Sequence, residues 1–234
     1  MLFTNNCRQC DVRDQALCAA LPDERLAPFA AQGTQRRLAR GQRLVHAGAT
    51  HNPSANIQRG MMKISHTNPA GQDVIVGLLW PGDFIGAPFQ AAASAGHDIV
   101  ALTPVTLCQF PRHVIDQTLA ANPAMERALL RRTLAEVERL RARLGSLARA
   151  TALARVAGFV AETARRCGTD DGGSVASFDL PLSRGEMADL LGLTIETVSR
   201  QMTKLKGAGV IDLPGGRRVV IQDPGALADT AEEL

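Results

Sequence analysis

Three cysteines, Cys7, Cys10 and Cys18, fall within twelve positions near the start of a 234-residue chain. Thiolates are soft metal ligands and redox-active nucleophiles. Outside an oxidising compartment, such a cluster points to metal binding or redox chemistry rather than to structural disulfides. The residues alone leave three options open: a zinc site, an iron–sulfur site and a thiol switch. Cys108, in Thr106-Leu107-Cys108-Gln109-Phe110, reads by itself as a small buried strand residue. Cys167 follows Arg165-Arg166 at an expected helix end and is assigned no role. His46, His51, His66, His97 and His113 show no ligand spacing.

A second set of residues carries nucleic-acid chemistry. Ser183-Arg184-Gly185-Glu186 has the S-x-x-E form of a capping box, so a helix is expected to start at Ser183. Met187, Leu190 and Leu191 give it an apolar face, Gly192 breaks it, and Thr194 caps a second helix. In that second helix Ile195, Val198, Met202 and Leu205 form the expected buried back. Glu196, Ser199, Arg200, Thr203 and Lys204 lie opposite. A major groove admits one helix and exposes base edges that Arg, Glu and Ser side chains can bond. Val210–Leu213 and Arg218–Ile221, around Pro214-Gly215-Gly216-Arg217, read as a hairpin wing with arginines at its tip for phosphate.

Composition agrees. Apolar residues make up 45% and charged residues 21% of the chain, ordinary globular usage. The net charge of +3 equals that of Thr194–Arg218 alone, with five basic and two acidic residues. No run approaches a membrane span, and Met1–Asn6 lacks the features of a secretory leader, so a cytoplasmic location is expected. An iron–sulfur or cysteine-nucleophile enzyme finds no support, because G-x-S-x-G, H-E-x-x-H, phosphate-loop and dinucleotide motifs are all missing.

Four sections position these residues. Residues 1–20 form a cysteine-bearing arm. Residues 21–122 show short apolar runs at Gln42–His46, Met61–His66, Val74–Trp80 and Val105–Phe110, broken by turn residues, which predicts a sandwich or jelly roll. Residues 123–149 predict a long helix with Asn122 as cap and Pro123 in its first turn. On it Leu130, Val137, Leu140, Leu144 and Leu147 make a heptad seam, with Thr133 filling the gap. Flanking charges favour a dimer coiled coil over packing on the chain's own domain. Residues 150–234 hold the helix-turn-helix, preceded by a helix around Thr151–Arg166 and a loop at Gly168–Gly173, with the domain boundary expected near Arg149.

Leu193-Thr194-Ile195-Glu196-Thr197-Val198-Ser199-Arg200 resembles the recognition helix of the CRP/FNR regulators, specifically the E-x-x-S-R signature of the FNR branch. The resemblance runs over nearly the whole chain. It implies an α+β fold: an N-terminal double-stranded β-helix (jelly-roll) sensor domain, a long dimerisation helix and a C-terminal winged helix-turn-helix. It further implies a homodimer on double-stranded DNA, with RNA polymerase as a further partner. Glu196, Ser199 and Arg200 would read a half-site in a TTGAT-N4-ATCAA-like palindrome, supported by Thr194, Thr197, Lys204 and Arg217.

The spacing Cys7-x2-Cys10-x7-Cys18 resembles the N-terminal cluster ligands of the oxygen-sensing FNR branch, with Cys108 in the place of the fourth. The resemblance thus implies an oxygen-labile 4Fe–4S cluster supporting the DNA-binding dimer. Members that bind cyclic nucleotides carry a glutamate turn and a later arginine for the phosphate. Here Pro81-Gly82-Asp83-Phe84-Ile85-Gly86 has Asp83 in place of the glutamate. Around Gly96-His97-Asp98 there is no arginine to neutralise a phosphate, so no nucleotide ligand is expected. Zinc, thiol or nucleotide sensing on the same regulator is the alternative.

Overall fold

The computed structural model describes residues 7, 10–50, 53–68, 73–88, 94–167 and 177–233. The loop expected at Gly168–Gly173, His51 and most of the turn at Asn68–Gly71 lie outside them. The chain forms two compact units, one ending at Glu136 and the next starting at Val137. The division falls inside a single helix, whereas the sequence pattern breaks near Arg149.

In the first unit a short 3-10 turn at Leu17–Ala20 leads into α1 (Asp23–Ala31). Eight strands follow: β1 (Thr34–Leu38), β2 (Arg43–Val45), β3 (Ser54–Arg59), β4 (Met62–Thr67), β5 (Asp73–Leu79), β6 (Phe84–Ile85), β7 (Asp98–Ala101) and β8 (Val105–Phe110). They pair into two antiparallel sheets, ordered β1-β8-β3-β6 and β2-β7-β4-β5, as the jelly-roll expectation requires. The four apolar runs expected as strands appear as β2, β4, β5 and β8. β3 is buried yet reads Ser54-Ala55-Asn56-Ile57, and β1 reads Thr34-Gln35-Arg36-Arg37-Leu38, so neither announces itself by apolar alternation.

β8 belongs to two cores. Successive strand side chains point to opposite faces. Val105 and Leu107 join Leu38, Val45, Ala55, Ile57 and Met62 in a cluster drawn from both sheets. Cys108 and Phe110 join a second cluster with Val12, Leu17 and Cys18 of the arm, Phe29 of α1 and Ile115 and Leu119 of α2 (Arg112–Ala121). Phe29 and Phe110 stack with ring centroids 4.1 Å apart. Gly33 makes that possible, since a Cβ there would lie 2.5 Å from the Phe110 ring.

α3 (Pro123–Arg149) follows, with the proline at its first position. Asn122, expected as the cap of α3, donates its side-chain amide to the Thr118 carbonyl (2.7 Å) and so closes the end of α2. Along α3 the seam residues Leu130, Val137, Leu140, Leu144 and Leu147 are exposed, by 36% for Val137 up to 67% for Leu144, and Leu134 joins them. Large apolar side chains in such a row are normally covered.

The second unit contains α4 (Ala152–Cys167), β9 (Ser177–Asp179), α5 (Arg184–Leu191), α6 (Ile195–Gly207), β10 (Ile211–Gly215), β11 (Arg218–Ile221) and α7 (Pro224–Glu232). β10, β11 and β9 form a three-stranded antiparallel sheet, of which only the hairpin is expected from sequence. α4 packs on α6 and α7. α7 starts with Asp223 accepting from the Ala226 N–H and Pro224 in the first turn, a cap signal that lies open in Asp223-Pro224.

The capping box at α5 is complete. The Ser183 hydroxyl accepts from the Glu186 N–H at 3.2 Å, and the Glu186 carboxylate accepts from the Ser183 N–H at 2.9 Å. Gly192 ends the helix in the left-handed conformation (φ 61°), and Thr194 caps α6 by accepting from the Thr197 N–H at 3.2 Å. Ser183→Ala is therefore expected to destabilise the second unit by about 1 kcal/mol, read as a lower urea midpoint at unchanged slope.

Candidate cysteine site and nucleic-acid interface

Cys7, Cys10, Cys18 and Cys108 line one pocket, together with Val12, Arg13, Ala16, Phe29, Asn56, Gln58 and Phe110. Three of the thiols come from the arm and one from β8, where Cys108 stands opposite Asn56 of β3. The arm is seated by Val12, Ala16, Leu17 and Leu21 in the core cluster and held further by hydrogen bonds. The Leu17 N–H donates to Asn56 Oδ1 (3.4 Å), and Gln58 Nε2 lies 3.8 Å from Cys10 Sγ. Arg13 donates to the carbonyls of Cys18 (3.2 Å) and Leu21 (3.3 Å), which curls the arm around its own guanidinium. Arg59 of β3 pairs with Asp11 on the surface. Arg132 of α3 donates to Gly82 O (3.0 Å) and to Gln15 O.

Burial pushes the Cys18 thiol up to about 11, with Cys7 adding to the rise and Arg13 opposing it. Burial, followed by Cys10, raises Cys7 as well. Both are therefore neutral thiols near pH 7, and holding a metal would mean releasing protons. Four sulfur donors on an otherwise largely apolar pocket fit a thiolate-bound group in kind. The space does not yet match. The cavity measures about 10 Å3, room for about one water molecule. Among the described residues no three His, Cys, Asp or Glu side chains converge closely enough to hold an ion. Cys108 is fixed in a central strand, so loading a cluster requires the arm to move outward.

The turn after β5 is closed on itself. Asp83 accepts from the Trp80 N–H through Oδ2 (2.8 Å), and Ile57 of β3 bonds to both Gly82 and Asp83 through its backbone. The sequence holds no arginine between Arg59 and Arg112. Asp98 is buried and accepts from the Ala47 N–H at 3.0 Å.

In the second unit the residues expected to face DNA separate from the core as the periodicity requires. Val198, Met202 and Leu205 are buried, while Glu196, Ser199, Arg200, Thr203 and Lys204 are exposed. Ile195 departs from the expectation: it is 52% exposed. As the first residue of α6 it lies beyond the back of the helix, with its Cδ1 beside Gly185 of α5. Thr194 and Thr197 are engaged with each other through their hydroxyls at 3.1 Å as part of the cap. The backbone N–H of Glu196 and then the Thr194 hydroxyl hold the Glu196 carboxyl below its usual range, so it is an acceptor at neutral pH.

The carbonyl end of α5 is clamped by two arginines. Arg143 of α3 donates to Leu190 O (2.6 Å), and Arg155 of α4 donates to Leu191 O (2.8 Å). Cations on a helix C-terminus satisfy open carbonyls and oppose the helix dipole. They fix the turn that aims α6, and nothing in the sequence pattern singles them out.

The hairpin of the wing forms as expected, with Arg217 in its turn. The Arg217 Nε donates to Leu180 O at 2.6 Å, beside half-buried Arg184. Arg218 donates to Ser177 Oγ (2.6 Å) and pairs with Asp179 (3.8 Å). β9 completes the sheet on that side and, with its flank, offers acceptors to both arginines.

Family comparison places both units. The model of the Crp-like helix-turn-helix domain matches residues 154–230, and that of the cyclic nucleotide-binding domain matches residues 35–122. The transcriptional activator protein FnrL of Cereibacter sphaeroides is 35% identical over 230 residues, covering 97% of this chain and 92% of that protein. The nitrogen fixation regulation protein FixK of Bradyrhizobium diazoefficiens is 31% identical over 210 residues, covering 90% and 87%. The structure of FixK2 from Bradyrhizobium japonicum superposes with a TM-score of 0.77 at 23% identity, covering 86% of this chain and 98% of that one. With a roll of two four-stranded sheets, a long helix and a winged helix-turn-helix in that order, the chain belongs to the CRP/FNR family of transcription regulators.

Proposed function

We propose that this regulator senses oxygen or redox state through a 4Fe–4S cluster held by Cys7, Cys10, Cys18 and Cys108, and binds a palindromic site as a homodimer. The observation that carries the sensing role is the meeting of these four cysteines, from opposite ends of the first unit's sequence, on one pocket. The cluster, when bound, supplies an oxygen-labile centre tying the arm to β8. The exposed seam of α3 supports the dimer: six apolar side chains on one helix match a second copy of the same helix. Glu196, Ser199 and Arg200 read a TTGAT-like half-site, with Thr194, Thr197 and Lys204 beside them. Arg217, in the turn of the wing, shapes it through its bond to Leu180 O. The name of the relative FnrL, a transcriptional activator protein, supports activation; RNA polymerase is the further partner that activation requires. The closed turn at Asp83 and the lack of an arginine between Arg59 and Arg112 support a roll without a cyclic nucleotide.

Three measurements test this. Protein purified without oxygen should carry about four iron and four sulfide per chain and lose its visible absorption in air. Stoichiometric zinc, or no metal, would remove the cluster. Arg200→Ala should weaken binding to the specific site by roughly 1–3 kcal/mol and spare random DNA. Equal loss on both would remove base reading by Arg200. Leu140→Glu should sediment as a monomer at concentrations where the parent is dimeric, and a persistent dimer would place the interface off the seam.

A further inference from the structure

We infer that Arg132 is the positioning residue through which displacement of the cysteine arm reaches the dimer helix. Three parts of the first unit meet at its guanidinium. It donates to Gln15 O, on the arm three residues before Cys18, and to Gly82 O (3.0 Å), on the turn after β5. The arm and turn are already in contact there. Gly82 has φ +90°, and a Cβ on it would lie 3.0 Å from Gln15 Cβ and 3.2 Å from Gln15 O. The turn is itself anchored: the Gly82 N–H donates to Ile57 O (2.8 Å) and the Ile57 N–H to Asp83 O (3.0 Å). The arm therefore rests on a fixed edge, and Arg132 bonds both sides of the contact.

Arg132 stands between Leu130 and Thr133 of the seam. At about 100° per residue it lies on the flank of α3, roughly a quarter turn from the apolar row. It can hold the arm while the seam faces a second copy. The inference rests on the sensing role proposed above. Opening the cavity at the cysteines moves the arm between Cys10 and Cys18, and the Gln15 carbonyl moves with it. Either the bond to Arg132 breaks or the first turns of α3 follow. One guanidinium can bridge two carbonyls with fixed fork geometry, which an ammonium cannot reproduce.

The test compares the full chain with Arg132→Met, which keeps the stem and loses the donors, and with Arg132→Lys. Each is loaded with iron and sulfide without oxygen, assayed for both, and measured for affinity to the same duplex before and after the iron is stripped. In the parent, the loaded-to-stripped affinity ratio should fall in the range of allosteric couplings, roughly 5–150-fold. Arg132→Met should bind as much iron while that ratio falls to about one, with Arg132→Lys in between. An unchanged ratio in Arg132→Met overturns the inference. A parent that takes up no iron sinks the cluster reading, and metal-free protein then decides. There Gly82→Ala, which pushes on Gln15, should speed amide exchange in α3 beyond Glu136 in the parent background and leave it unchanged with Arg132→Met. Equal effects in both backgrounds overturn it.

Discussion

The strand β8 has two faces, and both are buried. Val105 and Leu107 complete the interior of the roll, while Cys108 and Phe110 leave an apolar strip on the outside of the sheet. α1 and α2 cover part of that strip, and the arm covers the rest. Everything at the cysteine site follows from this alternation. A shift of one residue in β8 would send Cys108 inward and leave the arm without a seat.

The arm is thus a segment without a core of its own. Val12, Ala16, Leu17 and Leu21 are its apolar anchors, and fixing a dozen backbone residues opposes them. Side-chain bonds from Asn56, Arg13, Arg59 and Arg132 supply the remaining hold. Segments held in this way open at lower free energy than strands of the core. The sensing proposed above needs that property, an arm free to respond at its thiols while β8 and the turn after β5 remain in place.

Much of the molecule was legible in the residues, for identifiable reasons. The helix-turn-helix rests on local chemistry, a capping box, a left-handed glycine and a threonine cap, and each of these forms as its spacing requires. The strands β2, β4, β5 and β8 are apolar enough to stand out. β3 did not stand out, because its buried positions include Ser54 and Asn56, whose value lies in partners distant in sequence. The arginines Arg132, Arg143 and Arg155 were equally silent, since a guanidinium aimed at a carbonyl looks like any surface charge until the fold brings the acceptor. Asn122 and Ile195 both departed from expectation at helix ends: the Asn122 amide closes α2, and Ile195, first in α6, lies beyond the buried back. The cysteine spacing was visible, whereas the small size of the cavity was not.

The engagement of Arg217 and Arg218 by neighbouring groups of the wing has a bearing on salt. Counterions are released from DNA only where a cation meets a phosphate, and the dependence of affinity on salt scales with that number. With both wing arginines bonded to β9 and its flank, and Lys206 paired with Asp212 at 3.0 Å, the wing and the end of α6 offer few unengaged cations to a phosphate backbone. For a regulator that binds as the homodimer proposed above, a single copy then has little sequence-independent grip, and occupancy depends on two copies arriving joined. In that proposed dimer, separating the copies would be enough to clear the site, without any change in α6 itself.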